Sequence, residues 1–287
     1  MNIKIITDST CDLPEELLQK YNIRVVPLSI MMDDQFYKDG VEIKPKDMFQ
    51  YVDSGKGVCK TSAVNVGEYL EVYEQERPKC EAIIHFTISA DMSSCYQNAR
   101  IAAQEFDNIY LIDSRNLSAG IGHLVLDAAE MVEQGRQAEE IYAELNRRIP
   151  LLDTSFVIDT LTYLHKGGRC SAVAALVSSV LKIKPSIVVS DGKMTVGKKY
   201  RGNLESVVRK HLEDKMSNIE NIDKRRAIVT YTTTPQNRHI VDMVKALLKD
   251  EYAFESVLEA EAGGTISCHC GPNALGLKFY RKTPMTK

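Results

Sequence analysis

Three short β-rich segments in the first half of the chain each end beside a serine, and helical patterns separate them. The segments cover residues 3–6, 82–86 and 109–112, and they lead to Asp8-Ser9, Ile88-Ser89 and Asp113-Ser114. The helical patterns cover residues 14–21, 66–76, 94–106, 120–134 and 138–148. Buried strands that alternate with helices are typical of a parallel sheet with helices on its faces. Such sheets bind ligands beyond the carboxyl ends of their strands, where these polar pairs lie.

The pattern changes after Pro150, and we therefore predict an α/β domain over residues 1–152 and a second one over residues 153–287. A length of 287 residues fits two domains. In the second half we predict strands at residues 156–159 and 227–232, and helices at 172–181, 204–216 and 235–249. Asp191-Gly192 joins β-rich runs and predicts a hairpin, whereas residues 274–280 fit a helix or a strand. No low-complexity linker separates the halves, so we expect them to pack tightly and share a site.

Composition and charge exclude several classes of protein. Lys and Arg total 36 against 39 Asp and Glu, so there is no global basic field for nucleic acid or an anionic membrane. No apolar run approaches the roughly 18 residues of a transmembrane helix, and the N-terminus lacks the apolar run of a signal peptide. The seven cysteines follow no disulfide framework. These features predict a cytoplasmic protein with reduced thiols and no integral membrane association.

Two clusters of hydroxyl residues precede helical patterns. Lys60-Thr61-Ser62 lies before the pattern that starts at Val66, and a serine-rich segment from Ser89 to Ser94 lies before the pattern that contains Tyr96. Hydroxyls beside free backbone N–H groups at a helix N-terminus form a site for an anion. Ordinary helix caps use the same residue types, so an anion site and a cap both remain open.

Two further clusters lie in the second half. Lys166-Gly167-Gly168-Arg169 is either a turn with a solvated Arg or a close approach of backbone in which Arg169 clamps an anion. His269 lies among small residues just before Gly271-Pro272. It is either a hydrogen-bond donor to an anion or a histidine packed in a loop. Cys268 and Cys270 crowd His269 too closely to hold one tetrahedral zinc ion, so we expect no metal site.

Ordered motifs along nearly the whole chain resemble the DegV family of bacterial fatty-acid-binding proteins. In the first half the matching segments are Thr7-Asp8-Ser9-Thr10-Cys11-Asp12-Leu13-Pro14, Val25-Val26-Pro27-Leu28, Tyr37-Lys38-Asp39-Gly40, Lys60-Thr61-Ser62, Ile88-Ser89, Tyr96-Gln97-Asn98-Ala99 and Asp113-Ser114. In the second half they are Lys166-Gly167-Gly168-Arg169, Lys182-Ile183-Lys184-Pro185 and the run from His269 through Gly271-Pro272 to Ala274-Leu275-Gly276-Leu277.

The resemblance implies a two-domain α/β fold: an N-terminal parallel sheet flanked by helices, and a C-terminal α/β domain with a mixed sheet. It implies a long-chain fatty acid buried between the domains and no other cofactor. The carboxylate-binding residues would be Thr61, Ser62, Ser93 and His269, with lining or support from Ser94, Gly168, Arg169 and Gly271. Family members that work with a fatty-acid kinase present the bound acid to it. The kinase makes an acyl phosphate for phospholipid synthesis, and Arg201 lies in a segment that resembles the kinase-facing surface.

Some positions depart from the family pattern. Ser94 and Cys95 stand where the family has Gly-Thr, and Asn273 stands where a glycine is usual. These departures bear on acyl-tail selectivity and on the kinase partner, whereas the hydroxyls and His269 are retained. A different class of function also remains open. A serine hydrolase or acyltransferase could use Ser93 as nucleophile and His269 as base, although no G-x-S-x-G motif is present.

Overall fold

The computed structural model describes residues 2–171, 183–232 and 237–284, in which strands and helices alternate along the chain. The strands are β1 (Ile3–Asp8), β2 (Arg24–Val26), β3 (Ser29–Met32), β4 (Gln35–Lys38), β5 (Lys60–Ser62), β6 (Ala82–Thr87), β7 (Ile109–Asp113), β8 (Leu152–Val157), β9 (Ile183–Ser190), β10 (Lys193–Arg201), β11 (Ile222–Tyr231), β12 (Ser256–Glu261) and β13 (Leu275–Arg281). The helices are α1 (Glu15–Lys20), α2 (Pro45–Asp53), α3 (Val66–Glu76), α4 (Cys95–Ala103), α5 (Ala119–Glu133), α6 (Ala138–Arg148), α7 (Thr162–Gly167), α8 (Leu204–Met216), α9 (Arg238–Ala246) and α10 (Gly264–Cys270).

The first sheet is parallel, as the alternating pattern predicts, and its strand order is β2-β1-β6-β7. The chain runs outward from β1 to β2 and then returns to β6, so the winding direction reverses between β1 and β6. Ligands of such sheets bind at a reversal of this kind. Here the two strand ends are joined, because the backbone N–H of Ile88 donates to the Asp8 carboxylate at 2.8 Å. Burial raises the pKa of Asp8 to about 6.

The second sheet is mixed and has the order β10-β9-β8-β13-β11-β12. Its neighbouring strands are antiparallel except for β11 and β12, which α9 connects as a parallel pair. The predicted hairpin is confirmed: Asp191 and Gly192 both have positive φ, at 48° and 79°, between β9 and β10. Residues 274–280, which fit either element by pattern, contribute to strand β13.

Helix α5 lies between the two sheets and is buried along most of its length. It packs on β1 and β6 on one side and on β8, β11 and β13 on the other. His123 of α5 contacts the carbonyl of Lys278 at 3.1 Å, and Asp127 pairs with Arg226 at 3.1 Å. The inner faces of both sheets therefore belong to one apolar cluster, whereas α8 and α9 cover the outer face of the second sheet.

A third sheet, ordered β4-β3-β5, was not expected from the sequence. Its strands have three or four residues, and α2 and α10 pack beside it around Ile30, Ile43, Met48 and Cys268. The helix predicted at residues 172–181 lies outside the described residues. The helix predicted at 235–249 is α9 followed by a π-helical turn at Leu247–Glu251, while residues 235 and 236 fall outside the described part.

Candidate functional site

A cavity opens near the carboxyl edge of the parallel sheet, where β5, the segment after β6 and α10 meet. It encloses about 520 Å³ including its mouth. Its lining is Leu28, Thr61, Ser62, Ala63, Ile88, Met92, Ser93, Leu117, Arg169, Met194, Thr265, Ile266, His269 and Cys270. Eight of these residues are apolar and six carry polar side chains, a mixture found in sites for small amphipathic molecules.

Thr61 and His269 form the central polar pair, with Oγ1 and Nε2 separated by 2.8 Å. Thr61 lies on β5, paired with Ile30 of β3, and the neighbouring Ser62 is exposed at the mouth of the cavity. The expectation that these hydroxyls stand at a helix N-terminus is wrong. Asn65 caps α3 instead, accepting the Glu68 backbone N–H at 3.0 Å, so both hydroxyls remain available for a ligand.

His269 lies in the last turn of α10, so the alternative of a packed loop histidine is wrong about its secondary structure. Two carboxylates anchor the start of this helix. Asp39 accepts the backbone N–H groups of Gly264 and Thr265 at 2.8 and 3.0 Å, and Asp12 accepts that of Gly263 at 2.8 Å. Carboxylates at a helix N-terminus satisfy free donors and favour the helix dipole. These contacts hold the histidine in place from residues more than 200 positions away.

Burial makes His269 a neutral imidazole at pH 7. Desolvation, with a smaller contribution from Arg169, lowers the pKa of His269 to about 4. Its Nδ1 is buried without a hydrogen-bond partner among the described residues. A proton on Nε2 makes Thr61 Oγ1 the acceptor of the pair. The Thr61 hydroxyl hydrogen is then directed to another acceptor, such as a ligand carboxylate.

Ser93 lines the cavity from the segment before α4. Its Oγ accepts the backbone N–H of Cys95 at 3.3 Å and donates to Cys95 Sγ at 3.2 Å. Ser94 is exposed at the N-cap of α4, makes no side-chain capping bond and is not among the lining residues. Ser89, which directly follows the sheet edge, donates instead to the carbonyl of Gly192 at 2.7 Å. That bond brings the β9–β10 hairpin over the site.

The remaining predicted site residues differ in position. Arg169 lines the cavity and is exposed, with Nη1 donating to the carbonyl of Gly167 at 2.9 Å. Gly168 is exposed at the C-cap of α7 with φ of 67°, and Gly271 is buried against the ring of Tyr163. Neither glycine lines the cavity, and Arg201 is exposed at the end of β10.

Two residues of the site were missed at the level of sequence. Gly167, rather than Gly168, packs against His269, because a Cβ at residue 167 would overlap the imidazole. Thr265 lines the cavity at 4% exposure, and its Oγ1 has no hydrogen-bond partner within the described residues. A hydroxyl four residues before His269 on a helix is the signal that could have identified Thr265.

The observed contacts do not form the hydrolase arrangement. A catalytic serine needs its base within hydrogen-bond reach and a third group that orients the base. His269 Nε2 contacts Thr61, and its Nδ1 has no orienting partner in the part of the chain described. Among the described residues, no group of three or more His, Cys, Asp or Glu side chains is arranged to hold a metal ion.

Comparison with known proteins identifies the family. The family model described as "Uncharacterised protein, DegV family" matches residues 2–282. The chain belongs to the DegV family. A DegV domain-containing protein of Caldanaerobacter subterraneus subsp. tengcongensis is 35% identical to this DegV family member over 98% of this chain and 99% of its own length.

Solved structures of the DegV family confirm the fold. A DegV family protein from Thermus thermophilus, described by its fatty acid binding, superposes with a TM-score of 0.91 at 29% identity, covering 98% of this chain and 100% of its own. DegV from Bacillus subtilis, described as a fatty acid binding protein, gives 0.83 at 26% identity with coverage of 98% and 100%. No helix in the described part of this DegV chain combines the length and hydropathy needed to cross a membrane.

Proposed function

We propose that this DegV family member binds a long-chain fatty acid, with its carboxylate at Thr61, Ser62, Ser93 and His269 and its tail between the two sheets. The observation that carries the proposal is the Thr61–His269 pair, which faces a mostly apolar cavity. The descriptions of the Thermus thermophilus and Bacillus subtilis relatives as fatty-acid binding support the same ligand class.

The chemistry of the lining suits both ends of such a ligand. Apolar side chains, among them Leu28, Ile88, Met92, Leu117 and Ile266, make up most of the wall. Each buried methylene of the tail contributes about 0.8 kcal/mol, so a long tail supplies most of the binding free energy. A carboxylate that leaves water must regain hydrogen bonds. The hydroxyls supply neutral donors for it, and the imidazole, by donating to Thr61 Oγ1, turns the Thr61 hydroxyl hydrogen toward it.

The binding protein presents the carboxylate and a kinase performs the chemistry. In the proposed complex, an exposed Ser62 and Arg169 at the mouth leave one side of the carboxylate open to a phosphate donor. A fatty-acid kinase would transfer a phosphoryl group to a carboxylate oxygen, and the acyl phosphate would enter phospholipid synthesis in the cytoplasm. Arg201, exposed at the end of β10, is a candidate contact with that kinase.

The direct test is mass spectrometry of lipids extracted from the purified native protein. A co-purified long-chain fatty acid is expected, together with a rise in melting temperature on adding palmitate or oleate. Ligand at 100 times its dissociation constant stabilises the native state by about 2.7 kcal/mol. Absence of both results would overturn the proposal. Labelling of Ser93 by a fluorophosphonate would instead favour the hydrolase.

Ser93→Ala and His269→Ala are each expected to weaken fatty-acid binding by roughly 10-fold to 100-fold. Ser93→Ala removes a hydroxyl donor to the carboxylate, and His269→Ala removes the N–H that turns the Thr61 hydroxyl hydrogen toward it. Isothermal titration of delipidated protein measures the effect. Ser94→Ala is the matched control, since this neighbouring serine is exposed and outside the cavity lining. Wild-type affinity in both site variants would refute the assignment of the carboxylate site.

A further inference from the structure

A second cavity adjoins the candidate site and lies against strands β8, β11 and β13 of the second sheet. It has a volume of about 270 Å³ including the part open to solvent, and it shares the lining residues Leu117, Ile266 and Cys270 with the first cavity. Its other lining residues are Ser118, Phe156, Thr230, Tyr231, Thr232, Ala262, Ala274, Gly276 and Lys278. A tail that runs inward from the Thr61–His269 pair, past the shared residues, enters this second cavity.

Lys278 is a charged side chain in the wall of this inner cavity. It is 2% exposed, and Thr230 Oγ1 is the hydrogen-bond partner that the described residues provide for its Nζ. An ammonium group carries three donors, so donors remain for a further acceptor. Lysine is seldom fully buried without a charged partner. Burying this charge costs free energy, and the methylene groups of a ligand tail would not offset that cost because they accept no hydrogen bonds.

The neighbouring side chains of Asp12 and Cys270 do not satisfy the remaining hydrogen-bond donors of Lys278. The Asp12 carboxyl acts on Lys278 at longer range, but its own oxygens accept the Ser118 hydroxyl at 2.6 Å and the Gly263 N–H at 2.8 Å. Burial lowers the pKa of Lys278 to about 8, which still leaves the ammonium form in the majority at pH 7. The nearby thiol of Cys270 is held neutral, because burial raises its pKa to about 12.

A second buried polar side chain, that of Thr154, lies on the same face of the second sheet as Lys278. Thr154 of β8 is directly opposite Lys278 in the antiparallel register, so the two side chains project to the same side. Thr154 is fully buried, and its Oγ1 has no hydrogen-bond partner within the described residues. That oxygen lies 2.8 Å from the place where a Cβ on Gly120 of α5 would stand, so it faces the space between the sheets.

We propose that the inner cavity selects fatty acids whose tail carries a hydroxyl group, with the hydroxyl oxygen accepting a hydrogen bond from Lys278 Nζ. This inference rests on the proposed fatty-acid function and specifies its ligand class. A hydroxyl offers an acceptor to the ammonium group and retains a hydrogen for a neighbouring oxygen. A plain hydrocarbon tail would leave the ammonium donors unpaired in the same place. The site should therefore bind a hydroxylated tail more tightly than a plain one, because only the hydroxylated tail makes this hydrogen bond.

The test compares stearic acid with a series of hydroxystearic acids substituted between carbons 8 and 18, titrated into delipidated wild-type protein and Lys278→Met. At least one hydroxy acid is expected to bind the wild type about tenfold more tightly than stearate, as for a hydrogen bond to a charged group. Methionine keeps the approximate length of the side chain without its charge, so the variant should bind stearate more tightly than the wild type does and should lose the preference for the hydroxy acid. Lys193→Met, which removes an exposed charge of the β9–β10 hairpin, is the control.

Each other outcome has a defined meaning. Stearate binding without a preference for any hydroxy acid in the wild type would overturn the inference and leave the proposed function intact. A preference that survives in Lys278→Met would also overturn it. If that variant fails to fold, Lys278→Gln, which keeps a neutral donor, should show a reduced preference. Failure of the wild type to bind stearate or any hydroxy acid would overturn both proposals.

Discussion

Asp39→Ala is expected to lower the free energy of unfolding by about 2–5 kcal/mol, since each buried donor left unsatisfied costs about 1–3 kcal/mol. Asp39 is 2% exposed and follows β4. Its carboxylate accepts the backbone N–H groups of Gly264 and Thr265 at 2.8 and 3.0 Å and the Ser9 hydroxyl at 3.0 Å. Alanine leaves both N–H groups of α10 unpaired in a buried place. The helix that carries His269 then loses its anchor, so fatty-acid affinity should fall as well.

Urea denaturation and fatty-acid titration of Asp39→Ala measure the two effects. Asp39→Asn is the matched variant, because an amide has the same shape and retains one acceptor oxygen, and its loss of stability should be intermediate. Asp47→Ala is the control for loss of an acidic residue at a different helix start, that of α2. A stability of Asp39→Ala within about 0.5 kcal/mol of wild type, as for ordinary surface changes, would contradict the anchoring role.

Gly167→Ala is expected to lower the free energy of unfolding by about 1–3 kcal/mol, the usual cost of overpacking a well-packed interior. The added Cβ would overlap the imidazole of His269. Relief requires the ring to shift, and any shift disturbs its 2.8 Å contact with Thr61 Oγ1. Fatty-acid affinity should therefore fall together with stability, although residue 167 contributes no polar group to the cavity.

A double-mutant cycle separates this steric effect from the effect of alanine on the helix itself. In the His269→Ala background the ring is absent, and alanine at the end of α7 should be neutral or stabilising by up to about 1 kcal/mol through loss of unfolded-state entropy. The sign of the Gly167→Ala effect thus depends on His269. Equal destabilisation in both backgrounds would show that the close approach to His269 is not the cause.

Local pattern predicted most of the parallel sheet because its strands are continuous apolar runs flanked by helices. The helical patterns at residues 66–76 and 138–148 coincide with α3 and α6. The three-stranded sheet was missed because its strands are short and carry Gln35, Lys38 and Lys60. Short polar strands have no periodicity that distinguishes them from loops.

Helix α10 was missed for a related reason. Gly263, Gly264 and Thr265 are poor helix formers, so intrinsic propensity predicts a loop around His269. The helix forms because carboxylates from the other half of the chain, Asp12 and Asp39, accept its first N–H groups. The spacing of residues within the segment does not indicate these contacts, because the carboxylates come from distant parts of the chain.

The sequence by itself determined the parallel sheet, the mixed second half, the DegV family and the set of hydroxyl and histidine residues that could meet a carboxylate. Those conclusions follow from local periodicity and ordered motifs, which chain order alone preserves. The tertiary structure decided that Thr61 contacts His269, that Gly167 rather than Gly168 faces the imidazole, and that Lys278 lies in the inner cavity. These contacts join residues more than 100 positions apart, or depend on which face of a strand or helix is buried, and only packing of the two sheets around α5 determines them.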